Sequence, residues 1–150
     1  MYFIDRNKIY ASLTYMDQLL DLFRQETGWQ KDQVHALALE RLSHGIVESI
    51  IDVGNSMIDG FIMRDPGSYE DIIDILEDEK VITSQMADPL KRVVELRKMI
   101  VRDFVKVDIE TLDDVLNGSL SELAAFPQKV RDYLENELGP VSAFLPSEQE

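Results

Sequence analysis

Residues 34–61, "VHALALERLSHGIVESIIDVGNSMIDGF", decide the class of fold. Apolar side chains recur at Val34, Leu37, Ala38, Leu42, Ile46, Ile50, Val53, Met57 and Phe61, with Gly45 in the same series. A helix of 3.6 residues per turn gathers that spacing onto one side. The stripe is broad, and a broad stripe belongs to a helix buried on more than one side, as in a bundle. It predicts one long helix from about Lys31 to Met63. Gly45, Gly54 and Gly60 each cost roughly 1 kcal/mol against Ala in a helix interior. Glycines of this kind permit close helix approach, in a tight crossing or in a dimer.

The same period extends outward in both directions. Upstream, Ile9, Leu13, Met16, Leu19, Leu20 and Phe23 give "RNKIYASLTYMDQLLDLFRQETG" an apolar face, with Asp5 as N-cap and Gly28 as the stop. Trp29 is placed to cover the end of the core. Downstream, "DPGS" at 65–68 breaks the chain, and Ser68 caps "YEDIIDILEDEKVI" with Asp71 at the capping-box position. Thr83 or Ser84 opens "QMADPLKRVVELRKMIVRDF", with Pro89 in its first turns. Asp108 caps "IETLDDVLNG", Gly118 ends it, and "SLSELAAFPQKVRDYLENELG" is the last helical region, started or kinked at Pro127. No stretch alternates with a period of two. The reading is an all-α bundle of four main helices and two short ones, one domain over residues 1–150, with 146–150 a frayed tail.

Composition sets further bounds. A chain of 150 residues with 45% hydrophobic content is large enough to bury a core without staples. It contains no cysteine, which removes disulfides, thiolate catalysis and Cys-based metal sites and suits a reducing cytoplasm. The opening "MYFIDRNKIY" lacks the pattern of a secretory signal, and no apolar run is long enough for a bilayer. The formal net charge is -14, a field that repels polyanions over most of the surface. Residues 91–106 run against it. Lys91, Arg92, Arg97, Lys98, Arg102 and Lys106 face only Glu95 and Asp103 there, a local excess of +4. Such a run serves either as a solvated face balancing acidic neighbours or as an anion site.

Chemistry-bearing residues are few. His35 and His44 are nine apart, which sets them on opposite sides of one helix, so they share no metal within it and read as surface or interface residues. The acidic clusters have no histidine at ligand spacing, and no phosphate-loop, dinucleotide or nucleophile-elbow motif occurs. Arg97 stands out. On a regular helix Leu90, Val93, Val101 and Phe104 lie within roughly 40° of it. A guanidinium in such company needs a carboxylate, a carbonyl array or a bound anion, unless it snorkels to the edge. Asp52 and Asp59 on the long helix are the candidate carboxylates.

The succession of elements, with "PGSYEDIIDILEDEKVIT" at 66–83, the arginine-bearing helix and "VKVDIETLDDVL" at 105–116, resembles the HepT-like group of HEPN domains over nearly the whole chain. The family signature is an Arg, often followed by Asn, with His five positions on and Tyr two beyond that. This sequence reads Arg97, Lys98, Met99, Ile100, Val101, Arg102, Asp103, Phe104. Lys98 stands where Asn is common, Arg102 where the His is expected and Phe104 where the Tyr is expected.

The resemblance implies a homodimer with a metal-independent RNase cleft, no cofactor, and a nucleotidyltransferase antitoxin that attaches AMP to the motif tyrosine. Arg97 and Arg102 take the catalytic positions. Arg97, Lys98 and Arg102 are the candidate phosphate- or RNA-binding residues. Arg102 is charged at all ordinary pH and offers no base, and Phe104 has no hydroxyl to accept AMP. Three readings therefore stand: a binding cleft with weak or lost cleavage; an active RNase in which Arg102 or a residue from elsewhere replaces the histidine; and an interaction protein that works through its acidic surface.

Overall fold

Short polar side chains start four of the six helices. Asp5 accepts the Lys8 N–H at 3.0 Å, Asp32 the His35 N–H at 2.8 Å, Ser68 the Asp71 N–H at 3.0 Å and Asp108 the Thr111 N–H at 3.3 Å. Each satisfies one of the donors a helix leaves open at its N-terminus. The computed structural model describes residues 4–139, and the anticipated tail at 146–150 lies outside them. The helices are α1 (Arg6–Gln25), α2 (Gln33–Gly60), α3 (Tyr69–Asp78), α4 (Ser84–Arg97), α5 (Ile109–Gly118) and α6 (Leu120–Leu138). The long α1, α2, α4 and α6 with the short α3 and α5 make the all-α bundle read from the sequence. Among the described residues there is no strand, and no helix is long and apolar enough to cross a membrane.

Helix α2 is the axis of the bundle. It packs against α1, α3, α4 and α5, and Leu39, Leu42, Ile46, Ile50, Val53 and Met57 are buried along it. Trp29 is buried and stacks on Phe23, closing one end as anticipated. Two glycines of α2 are used inside the chain. A Cβ on Gly45 would meet Leu19 and Tyr15 of α1, and one on Gly54 would collide with Ile72 of α3. They permit tight intrachain crossings, so they are not evidence for a dimer. The N-terminal part of the stripe is not core at all: Val34 is 74% exposed and Leu37 55%.

The ends of α2 and α3 are built alike. At Phe61–Met63 the Met63 N–H returns to the Ile58 carbonyl at 2.9 Å, with Ile62 in the left-handed region at φ 58°. At Glu79–Val81 the Val81 N–H returns to the Leu76 carbonyl at 2.8 Å, with Lys80 at φ 63°. Both are Schellman stops, and the left-handed position usually carries Gly. Pro127 lies inside α6, and α5 passes through Ser119 directly into α6.

The stretch after α4 departs from the sequence reading. The α-helix ends at Arg97 and continues as one π-helical turn, Lys98–Arg102, closed by the Asp103 N–H to the Lys98 carbonyl at 3.1 Å. A tight 3₁₀ turn, Phe104–Lys106, follows. The wider turn resets the period, so Phe104 leaves the core line of Leu90 and Val93, while Val101 stays partly buried against the core. Ile100 is the buried residue of the turn, and Phe104 is turned out to solvent.

Candidate anion and RNA site

Arg97 is the last residue of α4, and two other helices fix its guanidinium. From α2, Glu48 accepts the Nε–H at 2.7 Å. From α3, the Tyr69 ring lies under the guanidinium, with Cζ 4.9 Å from the ring centroid, within the range of a cation–π contact. The hydrogen bond it donates to Glu48 holds the guanidinium pKa above its ordinary value. The partner is thus Glu48, not Asp52 or Asp59. Asp52 pairs with Lys8 at 3.9 Å, and Asp59 faces solvent. Only Nε is committed. Neither Nη of Arg97 has a hydrogen-bond partner among the described residues.

The turn before α3 sets Tyr69 in place. Arg64 donates to Asp71 at 3.0 Å and to Asp78 at 3.4 Å, and the Gly67 N–H donates to Asp71 at 2.8 Å. Asp71 therefore clamps the "DPGS" turn from inside the first turn of α3. The Arg64 guanidinium, and next the Gly67 N–H, hold its carboxyl below the ordinary value.

His44 lies one turn before Glu48 on α2, with Nε2 3.8 Å from the Glu48 carboxylate. One carboxylate therefore touches both a guanidinium and an imidazole. His35 is elsewhere, held between Asp32 at 2.8 Å and Glu26 at 3.4 Å. Among the described residues no three His, Asp or Glu side chains converge as a metal site would require.

Arg102 belongs to a second station. Met99, Arg102, Asp103, Val105 and Lys106 line an open cleft of about 580 Å³, which Arg97 does not line. A regular α-helix would set positions 97 and 102 about 140° apart. A π turn, with its i→i+5 repeat, draws them toward the same side, and such turns are frequent at functional sites. The basic run divides clearly. Lys91 is paired with Asp74 at 2.5 Å and Arg97 with Glu48. Lys98, Arg102 and Lys106 have no carboxylate within 4.0 Å among the described residues. Phe104 sits between Arg102 and Lys106, 66% exposed.

Sequence reasoning singled out Arg97, Lys98, Arg102 and Phe104. It missed Glu48 and Tyr69 and passed over His44 as a surface residue. The i, i+4 spacing of His44 and Glu48 was a visible signal. Their convergence on Arg97 was not.

The model for the family described as Ribonuclease HepT-like matches residues 12–130. A Bacillus subtilis (strain 168) protein named "Putative RNase YutE" is 49% identical over 144 residues, covering 96% of this chain and 99% of its own. The solved structure of Bacillus subtilis YutE, described as a cytosolic protein of unknown function, superposes with a TM-score of 0.92 at 48% identity over 95% of this chain and 99% of that one. A tri-AMPylated Shewanella oneidensis HEPN toxin, solved with its MNT antitoxin, gives a TM-score of 0.72 at 19% identity, over 83% of this chain and 96% of that one. At that identity the likeness is one of fold.

Proposed function

The chain belongs to the ribonuclease HepT-like family of HEPN domains, and from that premise we propose that it is a homodimeric, RNA-binding member of the toxin–antitoxin type. Its basic cleft is retained, and its RNA cleavage is weak or lost. One observation carries the reading. In a chain of net charge -14, Arg97 keeps both Nη groups open while Lys98, Arg102 and Lys106 stand without carboxylates. An open guanidinium fork matches phosphate geometry. Cleavage needs more. A group that gives and takes a proton near neutrality is absent at position 102, where the guanidinium supplies charge stabilisation only.

The second copy would cover the exposed apolar start of α2, Val34 and Leu37, and bury about 1,200 Å² or more in total. The structural relatives solved as toxin–antitoxin complexes make a nucleotidyltransferase the partner to test. Phe104 offers such an enzyme no hydroxyl for AMP.

His44 favours a second reading, an active but atypical RNase. An imidazole is the side chain that general acid–base catalysis most often uses, and that of His44 shares Glu48 with Arg97. Cleavage of a labelled single-stranded RNA without divalent metal separates the two. On the first reading the parent chain is nearly inactive, and Arg102→His raises the rate, with positioned acid–base groups worth about 10² to 10⁴. Adding Arg97→Ala abolishes the gain. On the second reading the parent chain cleaves and His44→Gln stops it. An active parent silenced by Arg102→Ala would make Arg102 itself a working catalytic residue and overturn the first reading.

A further inference from the structure

We propose that Phe104 is a stacking platform for one unpaired base of single-stranded RNA, with Arg102 and Lys106 holding the phosphates on either side. The proposal rests on the RNA-binding reading above and names the form of RNA the cleft takes. The π turn at Lys98–Arg102 and the 3₁₀ turn at Phe104–Lys106 together place a Phe and a Val outside the core. Phe104 is 66% exposed and Val105 82%, whereas Phe23, Phe61 and Phe126 are all buried. Phe104 and Val105 together form a contiguous apolar patch rimmed by charged residues, the arrangement of a contact surface.

The charges around it select the occupant. Arg102 and Lys106 lie two residues to either side of Phe104 in the chain, Lys98 opens the π turn, and none of the three is neutralised by a carboxylate among the described residues. Elsewhere the chain is acidic, so a polyanion is held here and repelled around it. A ring between two open cations is the pattern by which proteins grip single strands: bases stack on the aromatic face and cations follow the backbone. A duplex keeps its base faces inside the helix, where Phe104 cannot reach them. The cleft formed by the residues on either side of Phe104 in the chain is lined by Met99 and Val105 together with Arg102, Asp103 and Lys106, so it offers an apolar edge beside the two cations.

The test is the affinity of the full-length chain for a labelled single-stranded oligoribonucleotide and for a duplex of equal length, without divalent metal. Base–aromatic stacking is worth about 1–3 kcal/mol per base, roughly 5- to 150-fold in affinity. Phe104→Ala should weaken single-strand binding within that range and leave duplex binding within about two-fold. Phe104→Trp should retain the affinity, and its added emission should be quenched by the single strand but not by the duplex. Both variants change an exposed side chain, so folding is preserved, and circular dichroism checks it. If Phe104→Ala binds both forms as the parent does, while Arg102→Ala with Lys106→Ala weakens both, the cleft stands and the platform is overturned. If neither kind of variant alters binding, the RNA reading itself falls. Unchanged RNA binding by Phe104→Ala together with a shift to monomer in sedimentation would overturn the platform and make the patch an interface between copies.

Discussion

Glu48 and Arg97 are 49 residues apart in the chain, yet the carboxylate accepts the Nε–H at 2.7 Å and joins the middle of α2 to the end of α4. The Glu48 side chain is 43% exposed, so water screens the pair. A double-mutant cycle on Glu48→Ala and Arg97→Ala, read by chemical denaturation, should give a coupling of about 1 kcal/mol, the scale of a partly exposed pair. A coupling of several kcal/mol would mean that the charge of Arg97 is consumed in holding the fold.

The clamp on the turn before α3 predicts a pH dependence. The Asp71 carboxyl is held below its ordinary value of 3.8 by Arg64 and the Gly67 N–H. Its stabilisation is therefore fully present above about pH 4 and is lost as pH falls through the lower folded-state value. Acid unfolding of Asp71→Asn should lack that contribution, so its stability should fall less steeply below about pH 4 than the parent's. Parallel acid limbs would show that Asp71 is not clamped.

Gly54 tests what the glycines of α2 do. A Cβ there collides with Ile72 of α3. Overpacking of this kind costs about 1–3 kcal/mol, so Gly54→Ala should lower stability by that amount without changing the sedimentation coefficient. A variant of parental stability that dissociates would assign Gly54 to an interface between copies.

Ile62 is a β-branched residue at φ 58°, in the left-handed position of a Schellman stop, and 74% exposed. Ile62→Gly should relieve the strain at little loss of packing and stabilise the fold by about 1 kcal/mol, after the extra entropy of Gly in the unfolded chain is counted. A fall in thermal midpoint would show that the Ile62 side chain makes a contact worth more than its strain.

The helices and their caps were legible because both are local. Asp5, Ser68 and Asp108 each bond an amide three residues on, and the apolar period of α2 sits in one stretch of chain. Thr83 holds the anticipated cap position without a side-chain bond. Arg97 could be flagged from its neighbours, but its partners could not. Which carboxylate of α2 meets it depends on where α4 crosses, and the period of α2 alone does not separate Glu48 from Asp52. Phe104 was misplaced for another reason. A constant 100° per residue does not hold through Lys98–Arg102, where the turn widens and the period fails. The resemblance supplied the positions of the motif. The exposure of Phe104 and the unpaired state of Arg102 and Lys106 came only with the fold.

The salt dependence of RNA affinity tests most directly whether the basic run at 97–106 binds RNA phosphate. For single strands the logarithm of the affinity falls with the logarithm of salt by about 0.7 per phosphate neutralised. The parent chain should show a measurable slope on single-stranded RNA without divalent metal. Arg97→Ala and Arg102→Ala should each weaken binding and lower the slope by about 0.7. No binding at low salt, or identical slopes for the parent and both variants, would contradict the account.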